Sequence, residues 1–285
     1  MSIKSYIPWW GKIAAKLVLS RLPVGYEFWK KLSLFEFGEM EQPEYAYGVF
    51  KQHFERARPD SGFVSLELGP GDSLFSAVVT KAFGGSESYL VDKGDYALKD
   101  VHLYHALENF LKLKGFPVPN ISNMQSIEEI LSSCSSHYLT TGLSSLRYIP
   151  SQSVDFIWSH AVLEHVRRAD FLDIMLELRR IVRSNGICSH QIDLRDHLGE
   201  ALNNLRFTEQ IWESDWMANS GFYTNRIQYS QMIDLFQKAN FQVKVIEVKR
   251  WDKLPTPKSK MTKEFKSISD EELCVCEFSV ILKPI

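Results

Sequence analysis

The stretch Phe63-Val64-Ser65-Leu66-Glu67-Leu68-Gly69-Pro70-Gly71-Asp72-Ser73 constrains this chain more than any other. Its first half is a short apolar run with a β-branched residue, the pattern of a strand buried in a parallel sheet. Gly69-Pro70-Gly71 then makes a tight turn. Ser73 to Phe83 continues as an apolar helical run, and Gly84-Gly85 stops it. Strand, glycine turn and helix in that order suit a nucleotide-like ligand. Glycines let backbone approach the ligand, and the free N–H groups of a helix start favour negative charge. The dinucleotide fingerprint needs a third glycine near position 74, where Leu74 stands, and no phosphate-cradling loop with Lys-Ser/Thr is present. The plain alternative is a strand, turn and helix that bind nothing.

Glu67 at the strand end, followed by Gly69 and Gly71, resembles the first motif of the class I S-adenosylmethionine (SAM)-dependent methyltransferases, acid-x-Gly-x-Gly-x-Gly. Ser73 departs from it at the last glycine, but serine is small and caps helices. A second stretch carries the same resemblance. Val154-Asp155-Phe156-Ile157-Trp158-Ser159 followed by His160-Ala161-Val162-Leu163-Glu164-His165-Val166 is similar to the family's Asp-x-φ-x-Ser and Val/Leu-Leu-Glu-His-φ, with φ apolar. The resemblance covers residue 60 or so to the C-terminus. It implies an α/β fold: a doubly wound, mostly parallel seven-stranded sheet with an antiparallel last strand, plus helical insertions. It implies SAM as cofactor and requires no metal.

The cofactor-side residues follow position by position. The loop gives Glu67, Gly69, Pro70, Gly71, Asp72 and Ser73. Asp92 ends the second strand about twenty residues after the turn, where an acid bonds ribose hydroxyls in nucleotide-binding sheets; Lys93 follows it. Thr141-Gly142-Leu143 falls where the family binds adenine, so Gly142 and Leu143 are expected to contact it through backbone. The family commonly places an acid there, and none occurs between Thr140 and Pro150. Ser159 and His160, at the end of the fourth strand, are expected beside the sulfonium.

Methyl transfer to a hydroxyl needs an in-line approach and a base. His160 and His190 are the first candidates, with His165, Asp193 and His197 behind them, because histidine titrates near neutrality. For His165 the reading as a packing or helix-orienting residue is slightly favoured over a catalytic one. The expected reaction is O-methylation of a sugar or another small polar metabolite. N- or C-methylation, and a non-catalytic SAM-binding scaffold, are the competing readings. An NAD-dependent oxidoreductase is disfavoured by Leu74.

Composition narrows the partners. The net charge of -2 gives no reason to expect nucleic acid. The four cysteines show neither metal spacing nor a disulfide framework, and no apolar run can span a bilayer, so a cytoplasmic setting is expected. Residues 1–32 carry six bases, Lys4, Lys12, Lys16, Arg21, Lys30 and Lys31, against the single acid Glu27, around a helical pattern from Trp9 to Leu22. This segment reads either as a peripheral contact with anionic lipid at the inner membrane face or as a helix packing over the core or lidding the ligand, with the second favoured. The organisation expected is an N-terminal helical region over 1–58 and a SAM-binding domain over 59–285, with insertions at about 93–135 and 194–228. The second insertion is rich in aromatics, which suit either an acceptor or the packing of a lid. A polar, lysine-rich loop is expected over 252–271. Oligomeric state is not legible.

Overall fold

The computed structural model describes residues 39–285 and the single helical position Gly11. The expected helix at Trp9 to Leu22, and the lipid contact of residues 1–32, lie outside these residues. Helix α1 (Pro43–Ala57) comes first. Proline at its start, Glu44 in the first turn and Arg56 in the last all suit the helix dipole. Ala46, Val49, Phe50, His53 and Ala57 form its buried stripe at helical spacing.

The sheet follows: β1 (Val64–Leu68), β2 (Glu87–Val91), β3 (Ser136–Leu139), β4 (Val154–His160), β5 (Val182–Asp193), β6 (Phe241–Arg250) and β7 (Val275–Pro284). The order is β3-β2-β1-β4-β5-β7-β6. The first five strands run parallel, and β7 inserts antiparallel between β5 and β6. This is the expected doubly wound sheet. β5 is longer than the sequence pattern suggests: it begins at Val182, directly after the helix, with a register shift against β4 between Val154 and Phe156.

Helices cover both faces. On one lie α1, α2 (Phe75–Ala82), α3 (Val101–Leu113) and α4 (Ile127–Ser133). Their core is aromatic, with Phe50, Phe63, Phe75, Phe156 and Trp158 all buried. Burial of each such ring is worth roughly 1.5–3 kcal/mol. On the other face lie α5 (Leu143–Tyr148), α6 (Phe171–Ile181) and α7 (Tyr229–Lys238), which bury Met175, Leu178 and Phe236 against Ile157, Cys188 and Val280.

Three organisational expectations change. Residues 43–57 are part of the main α/β core, not of a separate N-terminal region, because Phe50 and His53 pack on Trp158. The 93–135 segment is a helical layer of that core: the Tyr104 hydroxyl accepts from Leu74 N, and Leu107, Leu111 and Ile130 are fully buried. The 252–271 segment is a run of short helical turns, at Lys258–Lys260, Lys263–Lys266 and Asp270–Leu273. Met261, Phe265 and Leu273 bury there with Leu202 and Leu205, so widely spaced apolar residues anchor a stretch whose composition reads as loop.

Candidate active site

The chain runs β1, β2, β3 outward, then returns to place β4 on the other side of β1. In open α/β sheets ligands bind at such a reversal, beyond the carboxyl ends of the strands. Two turns meet there. The turn after β1 holds Gly69 and Gly71 at φ 73° and 68°, a region that side chains rarely adopt. The turn after β4 holds Ala161 at φ 53° and brings Val162 against Gly69. A Cβ on Gly69 would stand 2.5 and 2.6 Å from the two Val162 methyls, so contact as well as torsion requires glycine.

Asp92, at the end of β2, ties the turns together. Its carboxylate accepts from Gly71 N at 3.0 Å and from Lys93 N at 2.7 Å. Its carbonyl accepts from Gly142 N at 2.8 Å. Gly142, at φ 57° and ψ −126°, precedes α5, and Leu143 opens that helix with its side chain partly buried against the core. Lys93 is exposed. Pro70, Asp72 and Ser73 are buried beneath the turn, and the Ser73 hydroxyl accepts from Phe75 N at the start of α2. Glu67 is 4% exposed, and its Oε2 is buried without a hydrogen-bond partner. Burial, above all, pushes its carboxyl up to about 8.

Beside the β4 turn opens a cleft of about 450 Å³. Glu44, Tyr45 and Gln52 of α1 line one wall, and Gln191, Glu247 and Lys249 line the other. His160 reaches into it from the end of β4. Glu67 pairs with Trp158 in register, so two residues further on His160 comes alongside Gly69. The His160 ring stands edge-on to Tyr45 and to His53, with centroids 6.5 and 5.7 Å away. Burial lowers its pKa below 6.5, leaving the imidazole neutral near pH 7.

The other candidate bases are placed differently. Strand alternation puts His190 on the opposite face of the sheet from His160. His190 is fully buried against Phe236, with Nδ1 2.7 Å from the Ser159 hydroxyl, and burial drives its pKa down to about 3. Neither His190 nor Ser159 lines the cleft. Asp193 is held by Arg195 through Nε and Nη2 at 2.6–3.1 Å. His165 and His197 stack at 4.9 Å with their Nε2 atoms 3.1 Å apart, and the Tyr223 carbonyl accepts from His165 Nδ1 at 2.7 Å. Burial, then the neighbouring His197, pushes His165 down to about 4. These two rings join the β4 turn to the 194–228 segment and do not line the cleft.

That segment is organised from within. Asp196 is buried and accepts backbone N–H bonds from Leu198, Ala201, Asn203 and Asn204. Trp212, Phe222 and Tyr223 fill a core of their own, and Trp212 Nε1 donates to the Thr224 carbonyl at 2.7 Å. Trp212, Phe222 and Tyr223 thus pack the insertion, while Trp216 is exposed. Residues the sequence did not single out for the site complete the cleft: His53 beneath His160, and the Gln191–Glu277–Lys249 bridge, with both donors 2.7–2.9 Å from Glu277 Oε1. Among the described residues no cluster of three or more His, Cys, Asp or Glu could hold a metal ion, and no helix is long and apolar enough to cross a membrane.

A doubly wound sheet with a glycine turn and an acid on the next strand at its switch point defines a nucleotide-type cofactor site. Residues 66–189, from β1 into β5, match the family model of the methyltransferase domain. That stretch is a methyltransferase domain, and the activity it supports is SAM-dependent methyl transfer, with SAM as the cofactor. No curated protein matches the sequence. Among solved structures it is similar to the YcgJ protein of Bacillus subtilis, at 14% identity and TM-score 0.46 over 85% of this chain and 99% of that one. It is also similar to a Haemonchus contortus phosphoethanolamine N-methyltransferase 2 in complex with phosphomonomethylethanolamine and S-adenosylhomocysteine, at 14% and 0.45 over 82% and 52%. These likenesses are too distant to say anything about the acceptor.

The residues present fit SAM. Gly69 and Gly71 bare the backbone at the switch point, Asp92 offers an acid at the next strand, and Glu67 keeps a buried oxygen unmet beside the turn. Asp92 and two side-chain-free positions suit a ligand with hydroxyls, and Glu67, protonated below about 8, adds a hydrogen-bonding group beside them.

Proposed function

We propose that the enzyme methylates a hydroxyl of a small polar acceptor, such as a sugar, seated in the cleft beside β4, with His160 as the general base. The observation that carries this is the partly exposed His160 ring, neutral by burial, lining a cleft of about 450 Å³ at the end of β4. Bound SAM supplies a methyl group on a positively charged sulfur. The chain has two tasks. It holds the acceptor oxygen in line, through the polar walls at Glu44, Gln52, Gln191 and Glu247. It also takes the hydroxyl proton on His160 as the oxygen loses electron density, a contribution worth about 10²–10⁴ in rate.

The cofactor site in the fit above comprises Glu67, Gly69, Gly71, Asp92 and the backbone at Gly142. The test is turnover of methyl-labelled SAM against a panel of hydroxylated small molecules, with His160→Ala and His190→Ala alongside. His160→Ala should lower kcat by about 10²–10⁴ and leave SAM affinity unchanged. His190→Ala should keep most activity if the protein stays folded. The pH profile should rise and level off below 6.5, because burial lets His160 lose its proton there. Full turnover by His160→Ala on an accepted hydroxyl substrate would remove the base from this reading. Turnover with amines alone would make the enzyme an N-methyltransferase.

A further inference from the structure

We infer that His53 of α1 is a positioning residue that fixes the tautomer of His160, so that His160 presents Nε2 to the acceptor with its lone pair free. The inference deepens the reading of His160 as base and rests on it. His53 is fully buried. Its Nδ1 lies 2.8 Å from the Ser189 hydroxyl on β5. Its Nε2 is buried with no hydrogen-bond partner. The His160 ring stands perpendicular to it at 5.7 Å, and His160 Nδ1 is likewise buried without a partner. Two neighbouring rings therefore each carry one unmet buried nitrogen.

Unmet buried polar atoms are costly, and native proteins rarely leave two side by side. A neutral imidazole has one donor and one acceptor nitrogen. If His160 is to accept a proton at Nε2, its Nδ1 must carry the hydrogen and needs an acceptor. His53 Nε2 is that acceptor when His53 carries its own hydrogen on Nδ1 and donates it to the Ser189 hydroxyl. Ser189, His53 and His160 then form one chain of donors, all pointing from the cleft into the core. Catalytic hydrogen bonds are often long or poorly aligned without ligand and tighten when it binds, so the His53–His160 bond is expected to close with the acceptor in place.

The proton balance is simple. As the acceptor oxygen bonds to the methyl carbon, the methyl–sulfur bond would break with its electron pair left on sulfur, and the hydroxyl hydrogen moves to His160 Nε2. His160 becomes a cation whose Nδ1–H points at the lone pair of His53. The charge is met by a neutral partner, and His53 takes no proton itself. Other groups act on the pair from around it: Arg56 of α1, Asp193 of β5, Lys249 of β6 and Glu277 of β7 act on His160, and His190 acts on His53 from the far face of the sheet. None of these hydrogen-bonds to His160 Nδ1.

The test reads tautomers directly, by nitrogen NMR of the full-length protein with labelled histidine, at pH 7.5. No acceptor is needed, so this readout stands or falls apart from the identity of the substrate. Wild type should show hydrogen on Nδ1 of both His53 and His160. His53→Leu should return His160 to the Nε2–H form, and His53→Gln, whose amide oxygen is an acceptor, should keep the wild-type form. Ser189→Ala is a milder variant should His53→Leu fail to fold. Freed from the hydroxyl, His53 should carry its hydrogen on Nε2 and force His160 to the same form. Where a hydroxyl acceptor has been found, His53→Leu and Ser189→Ala should lose at least about tenfold in kcat with KM little changed, and His53→Gln should recover most of it. A His160 tautomer that is the same in wild type, His53→Leu and Ser189→Ala would overturn the inference. Nε2–H on wild-type His160 would overturn it as well.

Discussion

Glu67 is a carboxyl placed where burial, not pairing, sets its charge. It is 4% exposed, one oxygen has no partner, and its pKa is about 8 against an ordinary 4.5. The folded protein therefore keeps it protonated over a pH range where the unfolded chain releases the proton. Its stabilising contribution is complete below 4.5 and is lost progressively as pH rises through about 8. Each pH unit in that window is worth about 1.4 kcal/mol, so the whole window amounts to about 5 kcal/mol. Glu67→Gln keeps the shape and the hydrogen-bonding capacity and cannot ionise. It should match wild type near pH 4.5 and exceed it by roughly 3–5 kcal/mol at pH 8. Its melting temperature at pH 8 should be higher on the order of 10 °C. Urea unfolding of both proteins at pH 5, 6, 7 and 8 gives the difference curve. Glu164, also raised by burial, titrates in both proteins and cancels from that difference. Stability curves for variant and wild type that run parallel across the pH range would refute the burial argument.

Gly69→Ala should destabilise by about 2–5 kcal/mol, from left-handed torsion and overpacking against the Val162 methyls together, measured by denaturant unfolding. Asp92→Ala should leave the fold intact and weaken SAM binding at least about tenfold by calorimetry, since Gly71 N and Lys93 N lose the carboxylate that sets the turn. Trp212→Ala should cost roughly 3–5 kcal/mol and raise amide exchange across residues 198–228 while sparing β1–β4, because Trp212 fills the insertion's own core.

The cofactor half of the site was legible because its requirements are local. Gly69, Gly71 and Asp92 announce themselves by torsion and by strand-end position, and a single segment of sequence carries each. The cleft is assembled from α1, β4, β5 and β6, which no local pattern brings together. His53 shows the difference. It sits on the buried stripe of α1 with Val49 and Phe50, so the helical period marks it as a core residue and says nothing of the ring it meets. Its partner His160 is more than a hundred positions away. The Asp193 contact is hidden for a similar reason: Arg195, two residues on, folds back onto it, which depends on the turn after β5.

His190 is instructive because its signal was present. Cys188 and Ile192 are apolar and flank it at the strand period of two, and both are buried on the face that α6 and α7 cover. His190 must share that face, while Gln191 and Ser189 take the other, where α1 and the cleft lie. The alternation assigns one histidine at the strand ends to the core and leaves His160, one strand over, to the cleft. The same alternation places Ser189 beneath His53. Face assignment along β4 and β5, more than residue chemistry, thus separates the side chains that can meet an acceptor from those that only support the sheet.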